Sequence, residues 1–267
     1  MFATDLDGTL LRSDHTVSAR TAEAIARAQA AGIEVVWATA RGRHSVQELA
    51  RTCGFRGKAV CANGAVLLDL AADTPEIIDM VPIAPGRARA VMGQLRELIP
   101  GVVFANISTT RIVAEPAYAA LCRFGDHQWY PHDMELADNL PTELEPMVKI
   151  VARHPELPSA QLYRTAVAIG IVGVELTHSG AAFLEMAAEG VSKASALERL
   201  CARDGIDLSE VAAAGDALND VAMLTWAGTA LVPANAVLEV IALADRVLPT
   251  NDEDGVATYL EELVAAS

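Results

Sequence analysis

Strand-like and helix-like segments alternate at both ends of this chain, and this alternation constrains its fold more than any other feature. A short apolar strand (residues 1–4) is followed by an Ala-rich helical segment (residues 18–31) and by a second apolar strand (residues 33–38). A strand, a helix and a strand in this order form a βαβ unit, whose two strands lie parallel in one sheet. The same alternation returns after Ser192. Both ends of the chain are therefore predicted to build one parallel α/β core.

The middle of the chain has a different composition. Ten of the 12 prolines lie between Pro75 and Pro158, among short strand patterns and a helical segment over residues 85–98. The apolar run over residues 166–174 is far shorter than the roughly 20 residues that span a bilayer. We predict a buried strand or hairpin for this run.

The alternation of strands and helices at both ends and the proline-rich middle segment divide the chain into two predicted domains. An α+β domain is inserted at residues 82–185. The remainder, residues 1–81 and 186–267, is predicted to form a Rossmann-like core, an α/β fold with a parallel sheet and helices on both of its faces.

Charge and cysteine content exclude several classes of partner. The 267-residue chain carries 35 acidic and 20 basic side chains, a formal net charge of −15. This field repels nucleic acid and anionic membranes, so we expect neither as a partner. The four cysteines form no CxxC pair, which is typical of free thiols in a reducing compartment. No signal-peptide pattern precedes the first strand, and we expect a cytoplasmic protein.

Acidic side chains follow the predicted strands of the core where each strand ends. Asp5 and Asp7 come directly after the first strand, and Asp216 follows a later one. Parallel strands meet ligands at their carboxyl ends, so we expect these groups to lie together. Carboxylates gathered in this way repel one another unless a cation joins them, and oxygen ligands indicate Mg²⁺. The other polar or small residues expected at this edge are Thr39, Ala40, Arg41, Asn219 and Asp220.

Each of these residues also has a simpler interpretation. The Asp-Gly pair after the first strand is common in turns, and Asn219 or Asp220 can serve only to cap a helix. A calcium loop is excluded, because its pattern needs Gly at position six and Glu at position twelve. The chain has Leu10 and Thr16 there.

Lys193 is more informative, because Ser192 is a candidate N-cap and places this lysine in the first turn of a helix. A cation there is disfavoured by the helix dipole, by about 0.3–1 kcal/mol. Lys193 is therefore either solvated or directed at an anion in the site. Together with the acids it supplies what phosphoryl transfer needs: a nucleophile, a metal site, donors for the phosphoryl oxygens and an acid for the leaving group.

These residues resemble the haloacid dehalogenase-like superfamily, and within it the Cof-type phosphatases of subfamily IIB, which have a C2 cap. The segment DLDGTLL (residues 5–11) is similar to the family's first motif, Thr39 to its second, Lys193 to its third and GDALND (residues 215–220) to its fourth. Lesser signatures are CANGA, ANA and TNDEDGVA, at residues 61–65, 234–236 and 250–257. The resemblance runs from residue 2 to about residue 260.

The resemblance implies a role for each matching residue. Asp5 would attack phosphorus and form an aspartyl-phosphate, which water then hydrolyses. Asp7 would protonate the leaving oxygen and afterwards deprotonate that water. The implied Mg²⁺ ligands are the Asp5 carboxylate, the Asp7 backbone carbonyl, Asp216 and Asp220. The implied phosphate or substrate site comprises Thr39, Ala40, Arg41, Lys193 and Asn219.

One departure from the family pattern falls at Ala40, where many relatives have glycine. Its methyl group would limit the approach of the backbone to the phosphate, and we expect a tuned site that is still active. Because Asp7 is retained, the resemblance favours a phosphatase over relatives that store the phosphoenzyme. Specificity candidates are Arg41, Arg43, His44, Arg111, Trp129 and Lys149, whereas the histidines and aromatics of residues 127–132 are more typical of packing than of a metal site.

The predicted function is a Mg²⁺-dependent phosphomonoesterase acting on small phosphorylated metabolites, with sugar phosphates as the expected class. Two alternatives remain. One is a phosphotransferase or phosphomutase that uses the same chemistry, and the other is a phospho-ligand sensor without turnover. The sequence does not indicate an oligomeric state.

Overall fold

A computed structural model describes residues 1–123, 134–140 and 145–266, which form two compact units. Unit 1 comprises residues 1–40, 46–79 and 192–267, and unit 2 comprises residues 41–45 and 80–191. The strands are β1 (Phe2–Thr4), β2 (Val35–Ala38), β3 (Lys58–Cys61), β4 (Val66–Asp69), β5 (Glu76–Met80), β6 (Val103–Ser108), β7 (Ile112–Ala114), β8 (Glu135–Leu136), β9 (Met147–Arg153), β10 (Val174–Thr177), β11 (Leu184–Ala188), β12 (Ala212–Ala214), β13 (Thr229–Pro233) and β14 (Arg246–Leu248). The helices are α1 (Ala19–Ala30), α2 (Arg43–Cys53), α3 (Pro85–Leu98), α4 (Pro116–Leu121), α5 (Ser159–Ile169), α6 (Lys193–Asp204), α7 (Val221–Trp226), α8 (Leu238–Ile241) and α9 (Gly255–Ala265).

The first sheet has the strand order β14-β13-β12-β1-β2-β3-β4-β5. Strands β14 to β3 in this order pair in parallel, and β4 pairs with β3 in the antiparallel sense. Thr4 at the end of β1 is in register with Ala214 on β12 and with Trp37 on β2. The residues that follow these three strands therefore emerge at the same edge, as the sequence predicts.

Helices cover both faces of this sheet. On one face, Ala3 and Val36 pack in a buried cluster with Leu197 of α6 and Met223 of α7. Alternate residues point to the opposite face, where the ring of Phe2 lies 5.6 Å from that of Tyr259 in α9. The predicted α/β fold with a parallel sheet is confirmed.

Unit 2 contains a second sheet, with the order β10-β11-β9-β6-β7-β8. Its strands pair in the antiparallel sense except for β7 and β8. Helices α3 and α5 bury Leu95 and Leu162 against Phe104 and Ile150 of this sheet. Strand β11 belongs to this unit, so a boundary at 185/186 would fall inside a strand, and the compact unit ends at Val191.

The prediction of a strand or hairpin over residues 166–174 is wrong. Residues 166–169 form the last turn of α5, which ends at Gly170 in the left-handed conformation (φ 75°). Leu162 and Ala166, four residues apart, are both buried on one face of this helix. An apolar run of this length does not distinguish a strand from a helix, and the packing of this face decides. No helix within the described residues is long and apolar enough to cross a membrane.

Candidate active site

Asp5 lies directly beyond β1, where its backbone continues the sheet. The Asp5 amide donates a 2.9 Å hydrogen bond to the carbonyl of Ala214 at the end of β12. The side chain is 7% exposed, so its carboxylate is held in a protein environment from which most water is excluded. A carboxylate in such a position needs a positive partner.

Lys193 supplies that partner. The Ser192 side chain accepts a hydrogen bond from the Ser195 amide, so α6 begins at Lys193 as the sequence predicts. The Lys193 side chain is fully buried, and its Nζ lies 2.5 Å from Asp5 Oδ1 and 2.6 Å from Asp220 Oδ1. Burial disfavours the ammonium, but Asp220 and Asp5 outweigh this effect, and the pKa of Lys193 is raised. The solvated alternative for Lys193 is therefore wrong.

Asp216 and Asp220 share one tight loop after β12. Asp220 Oδ2 accepts hydrogen bonds of 3.1 Å from the amides of both Asp216 and Ala217. Asp216 Oδ1 accepts a 2.8 Å hydrogen bond from the hydroxyl of Thr9. Asp220 does hold backbone amides near the start of a helix, as the simpler interpretation predicts, but its other oxygen faces Lys193. The loop therefore fixes both carboxylates.

Two glycines give these carboxylates the space that they occupy. A Cβ atom on Gly8, whose φ is +83°, would lie 2.4 Å from Asp216 Oδ2. A Cβ atom on Gly215 would lie 2.5 Å from the Cβ atom of Asp220. Real side chains do not approach so closely, so each glycine is needed where the loop passes a site carboxylate.

Asp5, Asp216 and Asp220 can bring one oxygen each within 4.8 Å of the others. Burial raises the pKa of Asp5 well above its ordinary value, Lys193 opposes this shift, and the neighbouring carboxylates add to it. Burial and the charge of Asp220 raise the pKa of Asp216 to about 6. Two of these three carboxylates, Asp5 and Asp220, contact the ammonium of Lys193, and the excess of negative charge among the four side chains fits a divalent cation with oxygen ligands.

The remaining predicted residues of the core have different placements. Asp7 is partly exposed, and its Oδ1 lies 3.4 Å from His15 Nδ1. Thr39 is buried at the end of β2, where its amide donates to the carbonyl of Val60. Asn219 Nδ2 donates a 3.0 Å hydrogen bond to Asn63 Oδ1.

The residues after Thr39 divide between the two units. Ala40 belongs to unit 1, whereas Arg41 clusters with unit 2, as do Arg43 and His44 at the start of α2. Arg41 Nη1 lies 3.5 Å from Ser45 Oγ within the same segment. Of the predicted residues 39–41, the first two therefore belong to unit 1 and the third to unit 2.

The candidate specificity residues of unit 2 are held by acidic partners. Arg111 forms ion pairs with Glu135 at 2.9 Å and with Glu145 at 3.2 Å. Lys149 is buried and lies 2.7 Å from Glu185 Oε1. Trp129 and the segment 127–132 lie outside the described residues.

The sequence reasoning assigned no role to several asparagines that hold the loop after β1. Asn235 Nδ2 donates to the carbonyl of Gly8, and Asn251 Nδ2 donates to that of Leu11, each at 2.8 Å. Asn235 Oδ1 in turn accepts from the Asn251 amide. Asn63, Asn235 and Asn251 each lie in one of the three lesser signatures. Those signatures were the sequence signal from which a role for these asparagines could have been predicted.

Comparisons with known proteins identify relatives of this chain. The family model for the haloacid dehalogenase-like hydrolases matches residues 2–260. The chain is 29% identical to Phosphatase YwpJ of Bacillus subtilis, with 99% of each chain covered, and 27% identical to Pyridoxal phosphate phosphatase YbhA of Escherichia coli, with 97% of each covered. A solved haloacid dehalogenase-like hydrolase from B. subtilis superposes with a TM-score of 0.81 at 26% identity, covering 98% of this chain and 99% of that one.

The match extends over the parallel sheet, the loops that carry the clustered carboxylates and the inserted second unit. The predicted resemblance is thereby confirmed, and the chain belongs to the haloacid dehalogenase-like hydrolase family.

Proposed function

We propose that this protein is a Mg²⁺-dependent phosphomonoesterase that acts on small phosphorylated metabolites. The observation that carries the proposal is the buried Asp5 carboxylate, paired with Lys193 and surrounded by Asp216 and Asp220. Lys193 and a divalent cation held by these carboxylates would together give the site the positive charge that suits an anionic phosphoryl group, whose transfer depends on positioning and charge stabilisation.

In the proposed reaction, a carboxylate oxygen of Asp5 attacks phosphorus. The bond from phosphorus to the leaving oxygen breaks, and Asp7 gives this oxygen its proton. Asp7 then removes a proton from a water molecule, which attacks the phosphorus of the aspartyl-phosphate and releases inorganic phosphate. Lys193 and Thr39 bind the phosphoryl oxygens, with Ala40 and Arg41 beside them, and Asn219 orients the site.

The donor set fits Mg²⁺, with Asp5, Asp216 and the backbone carbonyl of Asp7 as proposed ligands. Asp220 already has Lys193 on Oδ1 and two amides on Oδ2, so we assign it chiefly to holding Lys193 and the loop. When bound, the metal would neutralise charge on the phosphoryl oxygens.

The proposal places the chemistry on unit 1 and substrate selection on unit 2, the inserted unit, as a cap. Sugar phosphates remain the first proposed substrate class. The similarity to a pyridoxal phosphate phosphatase adds pyridoxal phosphate, the phosphate ester of a primary alcohol on an aromatic ring, to the compounds worth testing. The proposed location is the cytoplasm.

The test is phosphate release from sugar, nucleotide, flavin and pyridoxal phosphates, with Mg²⁺ and with a chelator. Asp5→Asn keeps the shape of the side chain and removes the nucleophile, so we expect turnover to vanish in this variant and on chelation. Asp69→Asn, a change at the partly buried end of β4, is a matched control that keeps activity. Turnover that survives in Asp5→Asn would contradict the proposal.

The same assay separates the alternatives. A phosphotransferase passes phosphate to an added sugar acceptor faster than to water. A sensor binds a phosphorylated ligand tightly in calorimetry and releases no phosphate.

A further inference from the structure

We infer that His15 is a positioning residue for Asp7, holding the acid in the orientation from which it reaches the leaving oxygen. This inference rests on the proposed function and adds to it a residue outside the recognised motifs. His15 lies in a turn, residues 12–16, that follows the loop after the first strand.

The turn has a defined shape. The Arg12 amide donates to the carbonyl of Thr16 at 3.0 Å, and the His15 amide donates to that of Arg12 at 2.8 Å. Asp14 Oδ1 accepts from both the amide and the hydroxyl of Thr16, at 3.0 and 2.6 Å. Backbone and side-chain hydrogen bonds therefore fix the residues on either side of His15.

The C-terminal signature anchors this turn to the rest of unit 1. The Arg12 guanidinium donates two hydrogen bonds to the carboxylate of Asp254, at 3.0 and 2.7 Å. Ser13 donates from its amide and its hydroxyl to Asp252, at 2.8 and 2.7 Å. Two adjacent residues of the turn thus each make a two-pronged contact, a geometry that restricts both position and orientation.

His15 adopts the left-handed conformation, with φ at +63°. Few residues with a Cβ atom do so, and histidine is one of those enriched there. In this conformation its Nδ1 lies 3.4 Å from Asp7 Oδ1. The side chains of His15 and Asp7 are 68% and 40% exposed, and a pair this open to water adds little to stability. We therefore assign the contact to orienting the carboxyl group of Asp7.

At 3.4 Å the contact is longer than an ordinary hydrogen bond, and a small rotation of the exposed His15 side chain would let a neutral imidazole with its proton on Nδ1 donate to Asp7 Oδ1. The other carboxyl oxygen would carry the proton that goes to the leaving group. The role needs no change in the charge of His15. The orientation of Asp7 by His15 affects the first half of the reaction, because in that half Asp7 protonates the leaving oxygen.

Two variants separate the imidazole from the backbone conformation. His15→Gly tolerates the positive φ and removes the side chain. His15→Asn also tolerates the left-handed region, and its Nδ2 lies as many bonds from the Cβ atom as the Nδ1 of histidine. Asparagine should therefore rescue what glycine loses.

The readout is kcat/KM on two esters. Para-nitrophenyl phosphate has an acidic leaving group that departs without a proton, whereas a sugar phosphate releases an alkoxide that needs one. Since general acid catalysis contributes about 10²–10⁴-fold, we expect His15→Gly to lose roughly tenfold on the sugar phosphate, with a loss below about twofold on the aryl ester. His15→Asn should stay within about threefold of the wild type on both esters.

Equal losses on the two esters, or no loss on the sugar phosphate, would overturn the role of His15 and leave the proposed function standing, provided that Asp5→Asn is inactive. A sugar-phosphate loss that asparagine does not rescue would also overturn it. Wild-type turnover that is unaffected by Asp5→Asn would overturn the proposed function itself and, with it, this inference.

Discussion

Replacing Lys193 with methionine tests how much the buried cation stabilises the site. Its Nζ lies between two carboxylates, at 2.5 and 2.6 Å, and its side chain is fully buried. Lys58 offers a matched control, because its Nζ also lies between two carboxylates, Glu34 at 2.6 Å and Asp204 at 2.5 Å. It is, however, 23% exposed.

Removing one partner of a buried ion pair costs about 3–5 kcal/mol, because the remaining charges have neither water nor a counter-ion. Removing one partner of an exposed pair costs about 0–1 kcal/mol. For a chain of this size, 1 kcal/mol corresponds to about 2–4 °C in the midpoint of thermal unfolding. We expect Lys193→Met to lower the midpoint by roughly 10 °C and Lys58→Met by less than about 3 °C.

The assay is thermal unfolding at pH 7.5 without divalent metal, followed by circular dichroism. The loss in Lys193→Met should shrink at pH 5, where the carboxylates left without a cation take up protons. A Lys193→Met midpoint within about 3 °C of that of Lys58→Met at pH 7.5 would refute the argument from burial.

Two further predictions concern Asp216 and its neighbour Gly8. Because the folded pKa of Asp216 is about 6 and its ordinary value is 3.8, the folded protein binds more protons between these values. Without metal, this group therefore adds about 2 kcal/mol of stability as the pH falls from 7 to 4.5. Mg²⁺ added at pH 7 should stabilise the ionised Asp216 and so reduce the difference in stability between pH 7 and pH 4.5. Thermal unfolding measures both effects. If the dependence of stability on pH is unchanged in Asp216→Asn, the assignment of the raised pKa to Asp216 is wrong. For Gly8→Ala, where a Cβ atom would meet Asp216, we expect at least roughly tenfold weaker Mg²⁺ activation. The control is Gly32→Ala, which has the same φ of +83° and nothing within 4 Å of its Cβ position; similar losses of activation in both variants would show that strain, and not the clash, is responsible.

The sequence predicts the part of the site that depends on strand order. Asp5 and Asp216 meet because β1 and β12 are parallel neighbours, and the ends of parallel strands share an edge. The position of Lys193 follows from the Ser192 cap, which is a local signal. These placements need only the direction of each strand and the start of one helix.

Other contacts cannot be predicted in this way. The hydrogen bond from Asn235 to Gly8 and the ion pair between Arg12 and Asp254 join segments more than 200 residues apart. They depend on side-chain directions that only the packed structure sets. The helical residues 166–169 were mispredicted for a related reason, since the local composition suits both a strand and a helix.

The most direct test of the central claim is to find which atom carries the phosphoryl group. The wild type is mixed with para-nitrophenyl phosphate and Mg²⁺, quenched in acid within the first turnover, digested and examined by mass spectrometry. The account predicts a phosphorylated peptide that contains Asp5, modified on that side chain and missing from Asp5→Asn. A phosphoryl group on any other residue, or turnover with no modified peptide in an enzyme that shows a burst of nitrophenol, would contradict it.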